Sequence, residues 1–177
     1  NEEDYYNFHM VEYPNKDFGY LVVRQFYIDV FNYYNYSQLV NSKDATIAGI
    51  AAKALKEVTY HLKRSSEWIV RLGDGTAESK ERIQTCLNDL WMYVDEFFEV
   101  DEVHQNMQEQ GIAADIDMIR KQWHQKVEEV LEEATLTKPE GAKYSLVYGK
   151  DGGHTEYMGF LLSEMQFLNN RYPEATW

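Results

Sequence analysis

Only three prolines occur in 177 residues, Pro14, Pro139 and Pro173, so the long stretch between the first two is free of the strongest helix breaker. Long helices are therefore permitted, and the hydrophobic spacing asks for them. Residues 18–41 repeat Val22, Phe26, Val30, Tyr33 and Val40 at a helical period. Asp44 can cap a second helix with the stripe Ile47, Ala51, Ala54, Val58, Leu62, Ile69 and Leu72, until Gly73-Asp74-Gly75 stops it. A third starts near Glu78, carries Ile83, Leu87, Leu90, Trp91, Val94, Phe97 and Phe98 on one side, and ends before Gly111. Asp115 opens a fourth, whose inward stripe is Ile116, Ile119, Trp123, Val127, Val130 and Leu131. Glu128, Glu129, Glu132 and Glu133 form its solvated side.

Periodicity fails over residues 135–153, where Pro139 and Gly141, Gly149, Gly152 and Gly153 indicate an extended connection. Tyr144-Ser145-Leu146-Val147-Tyr148 within it has the composition of a short strand without an obvious partner. A last helix over residues 155–170, capped by Thr155, places Met158, Leu161, Leu162, Met165 and Leu168 on one face. Five helices with short antiparallel connections predict an all-α helical bundle. A length of 177 residues, 44% of them hydrophobic, suits a single domain over 1–177.

Thirty acidic against 17 basic side chains give a formal net charge of -13, whose field repels phosphate backbones and anionic membrane surfaces. Neither nucleic acid nor membrane is expected as a partner. The lone cysteine, Cys86, excludes an internal disulfide and a thiolate metal cluster, which fits the reducing cytoplasm. No run approaches the roughly 20 apolar residues of a membrane helix, and Asn1-Glu2-Glu3-Asp4 lacks the positive charge of a signal peptide. The missing initiator methionine and the acidic run leading straight into Tyr5-Tyr6-Asn7-Phe8 suggest a chain truncated at its N-terminus. Tyrosine is dense over residues 27–36, and its apolar body with a polar tip suits either a core or a subunit interface.

Three side chains stand out chemically. Asp29 shares a helical face with Val22, Phe26, Tyr33 and Tyr36, so it should be at least partly buried and need a partner. Glu57 and His61, four apart, share a face of the second helix. Di-iron bundles use inward Glu and Glu-x-x-His sets, of which Asp29 with Glu57 and His61 resembles half. Val58, not a glutamate, stands three before His61, so Glu57 is rotated by roughly 100° from the ligand position. Metal binding and a metal-free carboxylate–histidine network remain the two alternatives, the second placing all three residues in the interior. The other histidines, His9, His104, His124 and His154, are assigned capping or solvated roles. Residues 149–153 are glycine-rich but lack Walker spacing, and Cys86 lies on an apolar helix face.

Val11-Glu12-Tyr13-Pro14-Asn15 with Asp17-Phe18, then Arg24-Gln25-Phe26-Tyr27-Ile28-Asp29, then Ala52-Lys53-Ala54-Leu55-Lys56-Glu57 through Tyr60-His61-Leu62, and finally His154-Thr155-Glu156 through Glu164-Met165-Gln166 and Trp177, resemble the C-subunit family of bacterial phenylacetyl-CoA epoxidases. The resemblance runs the length of the chain. It implies the C-terminal part of a ferritin-like bundle, without the family's first two helices and therefore with apolar surface exposed. It also implies a subunit that has lost a working metal site, with no cofactor of its own, and that holds a related A subunit. There the di-iron centre epoxidises the ring of the CoA thioester, in aerobic phenylacetate catabolism. Contacts to acyl-CoA are implied at Asp4, Tyr5, Tyr6 and Asn7 and, in the loop after the third helix, at Gln105, Asn106 and Met107. The competing expectation is an autonomous di-iron oxygenase or ferritin-like iron protein.

Overall fold

A computed structural model describes residues 4–141 and 149–176, and every described element is helical. The short strand considered over residues 144–148 lies outside the described residues. A single turn, α1 (His9–Glu12), precedes the central helix α2 (Phe18–Leu39). Asp17 caps α2 by accepting from the Gly19 and Tyr20 amides. Asp44 caps α3 (Ala45–Gly73) in the same way, through the Thr46 and Ile47 amides. At 29 residues, α3 runs about 43 Å. It ends where expected, and a Cβ on Gly73 would collide with the Ala134 carbonyl oxygen, so only glycine allows this close approach.

The expected third helix is three pieces: α4 (Ala77–Trp91), a 3-10 turn over Val94–Phe98, and α5 (Glu102–Glu109). Two causes divide it. Phe97 and Phe98 leave the α-helical path to pack edge-on against Trp123. Asp101 then starts a new helix by accepting from the His104 amide. Helix α6 (Ile116–Glu133) is capped by Asp115, buries the stripe expected of it and exposes its four glutamates. Its Trp123 Nε1 donates to the Tyr27 carbonyl at 2.9 Å, fixing α6 on α2 in the middle of the core. Around that bond lie Phe26, Val30, Leu87, Leu90, Phe97 and Ile119, all fully buried.

The last helix, α7 (Met158–Arg171), starts later than expected. Thr155 lies outside it and its N-cap position is Tyr157, with no side-chain cap. Only Met158 and Leu162 of the expected stripe are buried, while Leu161, Met165 and Leu168 are exposed. The arrangement is a ferritin-like all-α bundle, with α2 packed against α3, α4 and α6.

Candidate functional site

The face shared by α2 and α3 holds the first candidate. Asp29 is buried there, and its Oδ1 accepts from Gln25 Nε2 at 2.6 Å while its Oδ2 accepts from Ser65 Oγ at 2.8 Å. Burial raises its pKa, opposed by those two hydrogen bonds and by His61 and Arg64. A cavity of about 240 Å³ opens beside it, lined by Phe18, Trp68, Gln25, His61, Arg64 and Ser65 among others. Phe18 and Trp68 meet edge-to-face at 5.0 Å to form its apolar wall.

The interior three-residue cluster expected from the sequence is corrected here. His61 reaches the rim of this cavity but is exposed, and Glu57, also exposed, is absent from its lining. The inward positions of α3 go instead to Val58, Leu62, Ser65 and Ile69. Ser65, three and four residues on from Leu62 and His61, is the partner that Asp29 finds. Among the described residues no group of three or more His, Cys, Asp or Glu side chains is placed to hold a metal ion. With Asp29 already accepting from two uncharged donors and Glu57 turned away, these residues do not fit a di-iron carboxylate centre.

A second polar construction was missed by helical periodicity. It joins the N-terminal segment to the stretch that precedes α7. Glu12 Oε1 accepts from Asn7 Nδ2 and lies 2.7 Å from His154 Nδ1, while Oε2 accepts from the amide and the hydroxyl of Thr155, both at 2.7 Å. Burial pushes the Glu12 pKa up, but the hydrogen bonds from Thr155, His154 and Asn7 together hold it below its ordinary value. Glu96 accepts from the His9 amide at 2.8 Å and the Gly149 amide at 2.7 Å. The His9 ring lies beside it at 3.4 Å, with its Nε2 3.0 Å from the Gly153 carbonyl. For Glu96 burial dominates and its pKa is raised despite those donors. His9 is thus buried, not solvated, and His154 is a clasp member, not a helix cap. One signal was available: Glu96, with Asp95 beside it, interrupts an aromatic and apolar run that extends from Trp91 to Phe98.

The tyrosine-rich part of α2 divides between the two roles open to it. Tyr27 is wholly buried, whereas Tyr33 and Tyr34 line an open groove of about 890 Å³ between α2, α3 and α6, and Tyr36 is half-buried. The stretches implied to touch acyl-CoA are placed as follows. Asp4, Tyr5 and Tyr6 are exposed, and Asn7 turns inward to Glu12. Gln105, Asn106 and Met107 lie on α5, not in a loop, because Asp101 has restarted the helix before them. Gln105 and Asn106 are exposed and Met107 is half-buried. No helix among the described residues is long and apolar enough to cross a membrane.

Comparison with known proteins agrees with the resemblance read from the sequence. The family described as phenylacetic acid catabolic protein matches residues 1–177. The C subunit of 1,2-phenylacetyl-CoA epoxidase from Escherichia coli (strain K12) is 38% identical over 177 residues, covering 100% of this chain and 71% of that protein. The chain belongs to the phenylacetic acid catabolic protein family.

Proposed function

We propose that this chain is a structural subunit of a multicomponent phenylacetyl-CoA epoxidase, without turnover of its own, that holds a related di-iron catalytic subunit in place during aerobic phenylacetate catabolism in the cytoplasm. The observation that carries this reading is the state of the Asp29 face. In a chain similar to an epoxidase subunit, the one buried carboxylate of that face is engaged by Gln25 and Ser65, and Glu57 points to solvent. Such a face offers no paired carboxylates to bridge two metals. Tyr33, Tyr34 and Tyr36 supply half-buried aromatic surface of the kind that anchors subunit interfaces.

The acyl-CoA is expected to lie against Asp4, Tyr5, Tyr6 and Asn7 on one side and Gln105, Asn106 and Met107 on the other. Tyr6 is exposed and provides a flat apolar face on which a ring can stack.

Co-expression with the catalytic subunit tests the structural role. The catalytic subunit should be soluble and active with this chain and should lose both without it. A catalytic subunit that is equally soluble and active alone overturns the proposal.

A further inference from the structure

Glu12 and Glu96 are buried, and a buried carboxylate persists only where donors satisfy it. The donors of both converge on one short stretch of chain. Glu12 Oε1 accepts from Asn7 Nδ2 at 2.7 Å, and Glu96 accepts from the His9 and Gly149 amides. On its other side Glu12 reaches Thr155, 143 residues away, whose amide and hydroxyl both donate to Oε2. With Oε2 fixed in this way, Oε1 is aimed at Asn7.

The glycine-rich turn over residues 149–153 is the seat on which this stretch rests. A Cβ on Gly149 would overlap the Asn7 carbonyl oxygen, so the two backbones touch there, and a Cβ on Gly152 would stand 3.9 Å from Tyr6 Cε1. Phe8 secures the next position by packing edge-on against Phe31 and Phe97. Inward anchors at Asn7 and Phe8 leave the two preceding rings outward: Tyr5 is 40% exposed and Tyr6 71%.

A short irregular segment opens locally when its few anchors are weakened. A ligand that needs the segment closed then binds with its apparent affinity reduced by the closed fraction. We infer that Glu12 is a positioning residue for acyl-CoA: through Asn7 it holds Tyr5 and Tyr6 closed on the glycine-rich turn, with Thr155 orienting Glu12 from behind. This rests on the contact of Asp4, Tyr5, Tyr6 and Asn7 with acyl-CoA proposed above. Glu12 and Thr155 are buried and act on the ligand only through that segment.

The test titrates phenylacetyl-CoA into the complex assembled with each variant of the full chain, read as a dissociation constant and as KM and kcat for epoxidation. Glu12→Ala should raise the dissociation constant and KM about tenfold, with kcat per assembled complex within about twofold of wild type. Thr155→Val loses the hydroxyl but keeps the amide bond, and should raise both about threefold. Thr155→Ser should restore them. If Glu12→Ala does not assemble, the two Thr155 variants decide. Tyr6→Ser separates the inference from the reading beneath it. Weaker binding in Tyr6→Ser, with wild-type binding in Glu12→Ala and Thr155→Val, refutes the positioning role and leaves the acyl-CoA contact standing. Unchanged binding in Tyr6→Ser overturns the contact and the inference together. A lower kcat at unchanged KM in Glu12→Ala assigns Glu12 to the fold alone and refutes the inference.

Discussion

Replacing Glu12 by alanine tests the clasp that ties the N-terminal segment to the start of α7. The substitution removes the acceptor of the Thr155 amide and hydroxyl and of the Asn7 amide, together with the partner of His154. Buried donors left unsatisfied cost about 1–3 kcal/mol each. A loss of roughly 3 kcal/mol corresponds to a factor of about 150 in an opening equilibrium. Because α2, α4 and α6 keep their own core around Trp123, the loss should be local. Hydrogen exchange read by mass spectrometry should therefore show peptides over residues 7–13 and 149–158 exchanging at least about 100-fold faster together, with α6 still protected. The acid response follows from the sign of the shift. The folded pKa of Glu12 lies below its ordinary value of 4.5, so its contribution is present above pH 4.5 and is lost as pH falls through the depressed folded value. The variant should lack that acid-induced opening. Unchanged exchange in Glu12→Ala, or acceleration of only one of the two segments, would refute the clasp.

Gly149→Ala should release the same two segments through the other carboxylate, because its Cβ would overlap the Asn7 carbonyl oxygen and backbone must move; exchange indistinguishable from wild type contradicts this. Asp29→Asn should sit within about 1 kcal/mol of wild type at neutral pH, since the Gln25 amide can flip and the Ser65 hydroxyl can rotate to suit the new side chain. Its stability relative to wild type should grow as pH rises from 3.8 to the raised folded pKa of Asp29, because that carboxyl favours the folded state only below this window; urea titrations that give a flat difference refute the raised value. His61→Ala should change stability by no more than about 0.5 kcal/mol, as expected of an exposed side chain; a loss of about 3–5 kcal/mol, the range for a broken buried pair, would restore the interior cluster.

Helical periodicity made most of the bundle legible. The Asp44 and Asp115 caps, the Gly73 stop and the α6 stripe are local signals in the sequence, and the two caps are also satisfied locally, by amides two or three residues on. The break between Trp91 and Glu102 was not legible, because Val94, Phe97 and Phe98 keep a helical spacing while the packing around Trp123 draws them into a 3-10 turn. The outward apolar face of α7 escaped for a related reason. Spacing identifies an apolar stripe but does not say which molecule covers it.

At the candidate site, Asp29 was legible as a buried carboxylate through its neighbours Val22 and Phe26, but its partner Ser65 was not. A serine carries no periodic signal, and the i, i+4 pair Glu57 and His61 drew the reading one face too far around α3. The clasp is non-local. Glu12 and Thr155 are 143 residues apart, and no spacing rule links them.

The most direct test of the central claim is the iron content of this chain, purified alone and from its complex with the catalytic subunit after reconstitution with ferrous iron. The structural-subunit account predicts about two irons per catalytic subunit, all retained by that subunit when the two are separated. About two irons bound to this chain alone would contradict it and establish an autonomous di-iron protein.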